Sequence, residues 1–263
     1  MIHLPHLETD VTVACQLSCV ACNHHVALYR GAGQVWQSEP RQVERDLGLL
    51  SRIAHADAWA AIGGEPLLHR QLLDILHVAR ASGVADRVEV WTNGLKLAEQ
   101  PREFWRSLDV LVLSAYPGHA SDAGVAWARA RCADEGVDFQ LKDERNRPNF
   151  RTLFEPQPTD AEETRAKFRG CFFRSYSRVV DRGYFFTCCC APHMPGLIQG
   201  RPFGTDGVAI ELLTEEGLRA YLDRTEPLAA CRVCAGRDTA LPIVWREERD
   251  PVRWVVASAG GTP

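Results

Sequence analysis

No stretch of this 263-residue chain reaches about 18 consecutive apolar residues, so no membrane-spanning helix is expected. The first residues, Met-Ile-His-Leu-Pro-His, have neither a charged n-region nor an apolar h-region and are not a secretion signal. Basic tracts are lacking and the net charge is −4, so nothing suggests binding along a nucleic-acid backbone. These absences exclude membrane and nucleic-acid partners and place the chain in the cytoplasm. Cysteine, by contrast, is abundant, with ten residues. Without a secretion signal, ten thiols argue for metal ligation in a reducing compartment rather than for disulfides. The 46% hydrophobic, 24% charged composition is globular, and the length allows one large domain or a large and a small one.

Three of the cysteines, Cys15, Cys19 and Cys22, stand within eight residues in Cys-Gln-Leu-Ser-Cys-Val-Ala-Cys. Three thiolates on a short loop can hold three corners of a 4Fe-4S cluster and leave one iron open to a second molecule. A zinc knuckle is the alternative, although zinc sites usually close with four ligands. The C-x3-C-x2-C spacing resembles the signature of the radical S-adenosylmethionine (radical SAM) superfamily. That resemblance implies that the open iron chelates SAM and that one electron, from a reductant such as flavodoxin or ferredoxin, cleaves it. The resulting 5′-deoxyadenosyl radical abstracts hydrogen from a substrate. The family usually carries a bulky residue before the third cysteine; here it is Ala21, which leaves the adenine contact unassigned.

Taken in order, His6–Val13 alternates apolar and polar residues and reads as a strand delivering the chain to the cysteine loop. Asn23, His24 and His25 follow, to contact substrate, to orient a cluster ligand, or as polar rim residues. Pro40–Ala54 has helical spacing through Val43, Leu47, Leu50 and Ile53. Ala58–Ile62 reads as a buried strand ending in Gly63-Gly64-Glu65-Pro66. This resembles the radical SAM G-G-E-P motif, which implies that Glu65 and the adjacent backbone receive the SAM amino group. Glycine admits close backbone approach and a carboxylate accepts an ammonium.

Helix Leu72–Ser82 with Gly83 as its cap, strand Arg87–Trp91, strand Val110–Leu113, helix Val125–Asp134 and strand Val137–Leu141 continue the alternation. By the resemblance, Asn93 and Ser114 at strand ends touch SAM; a turn-capping serine is the alternative for Ser114. Cys132 reads as a packed free thiol. Lys142, Asp143 and Glu144 end the last strand, either binding polar substrate groups or forming a solvated rim. Alternating strands and helices imply parallel pairing, and the fold class is α/β: a partial (β/α)6 radical SAM barrel over 1–145. Residues 146–170 read as linker and barrel completion, with 146–160 lacking periodicity.

A second cysteine set follows: Cys171, Gly183 after eleven residues, Cys188 after four more, then Cys231-Arg-Val-Cys234. This layout resembles the twitch domain, a shortened relative of the SPASM domain, and implies an auxiliary 4Fe-4S cluster on Cys171, Cys188, Cys231 and Cys234. Zinc on the same thiolates is the alternative. The twitch domain is expected over 171–236, as a β-hairpin plus helix. Tyr184–Thr187 is its hairpin strand after a turn at Asp181-Arg182-Gly183, and Glu215–Arg224 its helix. Ala191–Asp206, with His193 and Arg201, is expected to wrap the cluster or the substrate. Residues 237–263 read as a C-terminal extension and tail, disordered from Gly260 to Pro263.

The layout is similar to that of the 2-deoxy-scyllo-inosamine dehydrogenases, small twitch enzymes. It implies a compact polar substrate: a sugar, an aminocyclitol or an aminoglycoside. Two spare thiols, Cys189 and Cys190, beside a cluster suit a hydrogen-atom donor, as in radical SAM sugar epimerases, and tilt the expectation to epimerisation at a carbinol carbon. Either thiol is also a ligand if the register slips. Oxidation to a ketone, with the auxiliary cluster accepting the electron, is the alternative. Peptide modification is a third reading, lowered because only one strand precedes Cys15. A non-catalytic protein with two metal sites is the fourth.

Overall fold

The computed structural model describes residues 1–145, 150–155 and 157–261. Its strands are β1 (Ile2–Leu4), β2 (Leu7–Thr12), β3 (Ala54–Gly63), β4 (Ala85–Thr92), β5 (Val110–Ala115), β6 (Asp138–Asp143), β7 (Val179–Asp181), β8 (Tyr184–Phe186) and β9 (Val208–Ala209). The helices are α1 (Val26–Gly31), α2 (Pro40–Leu50), α3 (Leu72–Ser82), α4 (Arg102–Arg106), α5 (Asp122–Glu135), α6 (Ala161–Gly170), α7 (Phe172–Tyr176), α8 (Met194–Gln199), α9 (Glu215–Leu222) and α10 (Pro251–Ser258).

The strands join in the order β6-β5-β4-β3-β2-β7-β8-β9, with β1 alongside the start of β3. Every pairing from β6 through β2 to β7 is parallel, and the last two are antiparallel. The path ends at β6 on one side and β9 on the other, so the sheet is open, as expected of a partial barrel. Parallel strands covered on both faces are apolar throughout, and β3 shows this from Trp59 to Ile62, all buried.

The helices start and stop where local chemistry says they should. Pro40 opens α2, and Val43, Leu47 and Leu50 turn inward. The helix ends at Leu50 rather than at the expected Ala54, because Ala54 already pairs with Ile2 in the sheet. Gly83 closes α3 in the left-handed conformation, φ 63°. Ser121 caps α5 through the Gly124 amide and begins the helix three residues before the apolar pattern does. Cys132 is buried in the main core, as a packed thiol should be.

The Asp181-Arg182-Gly183 turn forms as expected. Arg182 and Gly183 have φ of 46° and 83°, and Asp181 pairs directly with Tyr184. Two positive-φ residues between paired strands make a hairpin loop matched to strand twist. This hairpin is not detached from the barrel: β7 lies parallel to β2, with Glu8 opposite Val179. β8 runs back along β7, with Phe186 opposite Val179, and Cys189 and Cys190 beyond it pack in one cluster with Val20 and Ala21 of the first cysteine loop.

The sequence pattern showed none of β1, α1, α4, α6, α7, α8, β9 and α10. Of the expected structureless stretch, 146–149 and Pro156 lie outside the described residues. The rest of it is tethered by single bridges, Arg151 to Pro242 and Phe154 to Cys234. Within 146–170, Asp160 caps α6. Gly260 and Gly261 are not loose as expected: their amides donate to Ala257 O and Val256 O at 3.1 and 3.0 Å. Thr262 and Pro263 lie outside the described residues.

Two hydrophobic clusters result. One fills the space between the sheet and α2, α3 and α5. The other gathers Phe154, Phe168, Phe186, Met194 and Trp254 around Val20, Ala21, Cys189 and Cys190. The first cysteine loop thus packs in the core of the C-terminal part.

Candidate functional site

The loop after β2 is held mainly through its backbone. The Arg30 guanidinium, from α1, donates to Cys15 O at 2.6 Å and Leu17 O at 3.2 Å. Ser18 N donates to Glu247 Oε1 at 2.9 Å, Ala21 N to Ser258 Oγ at 2.9 Å, and the Trp254 indole to Cys19 O at 2.8 Å. The last three partners lie in 237–263, the stretch expected to be only an extension and tail. Ala21 has a φ of 58°. A small residue at this left-handed position, with its amide tied to Ser258, is the local reason that no bulky side chain stands before Cys22.

Cys15, Cys19 and Cys22 all open onto a cavity of about 570 Å³, a volume typical of small-molecule sites. Burial pushes the Cys15 thiol up to about 12 and raises Cys19 and Cys22 as well. The loop therefore carries neutral thiols until a metal supplies positive charge.

Gly63, Gly64 and Glu65 border the same cavity, and Pro66 starts a 3-10 turn behind them. A Cβ on Gly63 would lie 2.3 Å from Thr12 O, and one on Gly64 would lie 2.3 Å from Ala14 O. The glycines let this turn abut the backbone that feeds the cysteine loop, where Gly64 N donates to Thr12 O and Glu65 N to Ala14 O at 2.6 and 2.7 Å. Glu65 Oε1 accepts from Leu67 N and Thr92 Oγ1, and Oε2 accepts from Asn93 N at 2.8 Å. Oε2 keeps one acceptor site for an ammonium. Burial outweighs these donors and pushes Glu65 up to about 7. Asn93 also donates from Nδ2 to Gln16 Oε1 at 3.2 Å and faces Cys15 Sγ at 3.8 Å. Ser114 borders the cavity as well.

Among the second set, Cys234, Cys189 and Cys190 reach the cavity, while Cys171, Cys188 and Cys231 stand behind it. Burial raises Cys171 and Cys231, and the neighbouring Cys234 sulfur adds to both effects. Cys190 shares a thiol hydrogen bond with Cys234, and its amide donates to Cys188 Sγ at 3.4 Å. The thiols of Cys188 and Cys190, with the Asn23 side chain, favour the Cys189 thiolate and hold it well below the ordinary range. Among the described residues, Cys188, Cys189 and Cys190 bring three donors within 4.8 Å of one another, and so do Asp10, His24 and His193. Cys15, Cys19 and Cys22 form no such tight group. Zinc–sulfur bonds of 2.3 Å put tetrahedral thiolates about 3.8 Å apart, so the wider loop set fits separate irons of a cluster better than one zinc.

The far wall is polar. Lys142 Nζ rests 3.3 Å from the Trp91 ring centre, and burial lowers its amine to about 8 despite Glu8, Glu144 and Glu89 nearby. Behind it His6 bridges Glu8 and Glu89 at 3.2 and 3.4 Å. Sequence reading named Lys142, Asp143 and Glu144 but missed Glu8, Trp91, Tyr176 and Ser177, which complete this wall. Alternation in β2 and β4 marks both faces alike, so nothing told which residues meet across the sheet.

With this geometry in place, known proteins can be compared. The solved structure of BtrN in complex with AdoMet and 2-DOIA matches with a TM-score of 0.51 at 12% identity, covering 84% of this chain and 82% of that one. This chain has that fold. SuiB of Streptococcus suis matches at a TM-score of 0.40 and 10% identity, over 84% of this chain and 66% of that one. A probable GTP 3′,8-cyclase of Metallosphaera sedula is 33% identical over 98 residues, 36% of this chain and 28% of that protein. The match spans little more than a quarter of that relative's length. No family model matches the chain. The likeness to the BtrN structure is one of fold, and the sequence match is confined to a 98-residue stretch. Among the described residues, no helix is long and apolar enough to cross a membrane.

Proposed function

We propose that this chain is a radical SAM enzyme of the cytoplasm that acts at a carbinol carbon of a small polar substrate, a sugar or aminocyclitol. We further propose that its outcome is epimerisation. The observation that carries the proposal is that one cavity joins Cys15, Cys19 and Cys22, Glu65 and Asn93, and the thiols Cys189, Cys190 and Cys234. The thiol spread and the acceptor left on Glu65 fit a 4Fe-4S cluster with bound SAM, held by Cys15, Cys19 and Cys22. Cys171, Cys188, Cys231 and Cys234, in a twitch domain, fit an auxiliary cluster. When bound, the first cluster and SAM supply a 5′-deoxyadenosyl radical.

The chain's own residues do the rest. Glu65 Oε2 receives the SAM ammonium, and Gly63, Gly64, Asn93 and Ser114 shape the space around it. Lys142 and the aromatic wall take the polar substrate. Cys190 returns a hydrogen atom to the substrate carbon, and its sulfur radical then takes an electron and a proton from the reductant side. Cys190 is the better donor of the two spare thiols, because its neighbours keep it a thiol, whereas they hold Cys189 toward the thiolate, which has no S–H hydrogen to give.

Oxidation to a ketone is the second reading, favoured by Cys234, which puts the auxiliary set on the cavity wall to accept an electron. Anaerobic reconstitution tests the class: about eight irons per chain and dithionite-dependent 5′-deoxyadenosine are expected. A colourless, zinc-loaded protein would leave a non-catalytic metal protein instead. In heavy water, epimerisation adds one deuteron at carbon, whereas oxidation lowers product mass by two hydrogens. Cys190→Ala keeps 5′-deoxyadenosine formation and loses the epimer. Full epimer yield from both Cys189→Ala and Cys190→Ala would rule out the thiol donor.

A further inference from the structure

Beside the cavity, reaching its lining through His24, is a cluster that the proposed chemistry does not use. Asp10 lies near the end of the barrel strand β2, His24 follows the first cysteine loop, and His193 follows Cys188–Cys190. Asp10 and His193 are fully buried, and His24 is partly buried, its side chain 15% exposed. His24 Nδ1 lies 2.7 Å from Asp10 Oδ1, a normal hydrogen bond. Asp10 Oδ2 and His193 Nε2 are different. They lie 3.2 Å apart, an ion-pair distance, yet their geometry makes no hydrogen bond, and each is a buried polar atom without a hydrogen-bond partner. Buried polar atoms left unpaired need an explanation, and an ion is one.

The distances suit an ion. Two donors each about 2.1 Å from one metal, at an angle of roughly 100°, stand about 3.2 Å apart. Donor atoms of all three residues fall within 4.8 Å of one another. The other nitrogen of His193, Nδ1, lies 3.0 Å from the Tyr29 hydroxyl. A metal-bound histidine commonly gives its second N–H to such an acceptor, which leaves Nε2 free to ligate. His25 stays outside the group, with Nδ1 on Asn23 O at 2.8 Å.

We propose that Asp10, His24 and His193 form a mononuclear site for a divalent first-row transition ion, zinc or ferrous iron, separate from both cysteine sets. Two imidazoles and one carboxylate match such ions and not calcium or magnesium. The ion would tie the end of β2, the first cysteine loop and the chain after Cys190 at one point, fixing the two thiol sets relative to each other. This does not rest on the radical reading, because the ligands are not thiols.

The test uses cobalt(II) as the probe. Full-length protein, anaerobically reconstituted with iron and sulfide, is exposed to cobalt(II), gel-filtered and analysed for metal. The wild type is expected to retain one cobalt per chain. His193→Gln and Asp10→Asn should bind it at least about 100-fold more weakly, with cluster absorbance and circular dichroism unchanged. Cobalt-edge X-ray absorption of the wild type reads the ligands whether or not those variants fold. Imidazole and oxygen scattering without sulfur is expected. A sulfur shell, equal retention by wild type and His193→Gln, or no retention by the wild type would overturn the site and leave a hydrogen-bonded triad only.

Discussion

Asp206 offers a sharp test of how the second cysteine set is positioned. Its two carboxylate oxygens accept from Ala229 N at 2.6 Å and Ala230 N at 2.8 Å, at the start of the turn that carries Cys231. Its carbonyl accepts from the Tyr221 hydroxyl at 2.5 Å. Asp206→Ala leaves two amides without a partner, and only one of them is deeply buried. Hydrogen bonds to a charged group are worth about 1.5–3 kcal/mol each, so the pair contributes roughly 3–6 kcal/mol. Burial raises the Asp206 carboxyl against these donors, so part of that gain is spent on desolvation and the lower end applies. One kcal/mol moves Tm by about 2–4 °C in a chain of this size, so a drop of roughly 6–12 °C is expected. Asp206→Asn keeps one acceptor and should lose about half of that. The assay is anaerobic thermal unfolding followed by circular dichroism, with iron analysis of reconstituted protein beside it. Iron should fall from about eight toward about four per chain, because Cys231 loses its fixed position. A Tm within about 2 °C of wild type and undiminished iron would refute the reasoning.

Further outcomes follow from other contacts. His6 is raised from 6.5 to about 9: burial opposes its charge, but the hydrogen bonds and charges of Glu8 and Glu89 win. A raised histidine contributes stability that is full below pH 6.5 and is lost as pH climbs through about 9, on the order of 3 kcal/mol in all. Denaturant midpoints of wild type should fall over that window, and those of His6→Gln should stay flatter. Gly64→Ala drives a Cβ to 2.3 Å from Ala14 O, which is backbone and cannot swing aside. It should cost about 1–3 kcal/mol or more and remove the irons of the first cysteine loop while sparing those of the second set. Iron analysis with electron paramagnetic resonance checks which set is lost. Trp254→Phe keeps the ring but deprives Cys19 O of its 2.8 Å donor. Cys19 O keeps the Cys22 amide at 3.2 Å, so a loss of about 0.5–1.5 kcal/mol should appear as faster amide exchange in residues 19–22 and faster bleaching of the reconstituted protein in air.

The parts legible from sequence were those encoded at short range. Cys15, Cys19 and Cys22, the Gly-Gly-Glu-Pro turn, the Gly83 cap and the Asp181-Arg182-Gly183 reversal each carry their meaning within a few residues. So do the runs that became β3 and β5, since a strand buried on both faces stays apolar along its length. What stayed hidden depends on pairing across long separations. Nothing local in Ser258 or Glu247 shows that they receive the amides of Ala21 and Ser18, more than two hundred residues away. Asp10, His24 and His193 are likewise unremarkable singly and meet only because β7 docks against β2. Short helices such as α7 and α8 have too few turns to show a period.

This division bears on how the site works as a unit. The first cysteine loop draws its spacing from its own sequence but its rigidity from elsewhere: Arg30 on one side, Glu247, Trp254 and Ser258 on the other. Of those C-terminal partners, Trp254 belongs to the same packed cluster as Cys189 and Cys190. Disturbing the extension should therefore loosen both thiol sets together, whereas disturbing α3 or α5, which pack in the other cluster, should lower stability without changing how the two sets face each other. Substitution of Trp254 against substitution of Ile75 in α3, compared at equal loss of Tm, separates the two cases. Only the former should change the magnetic coupling between the paramagnetic centres that the two sets are proposed to hold. Equal changes in both variants would mean that the barrel, and not the C-terminal extension, sets their separation.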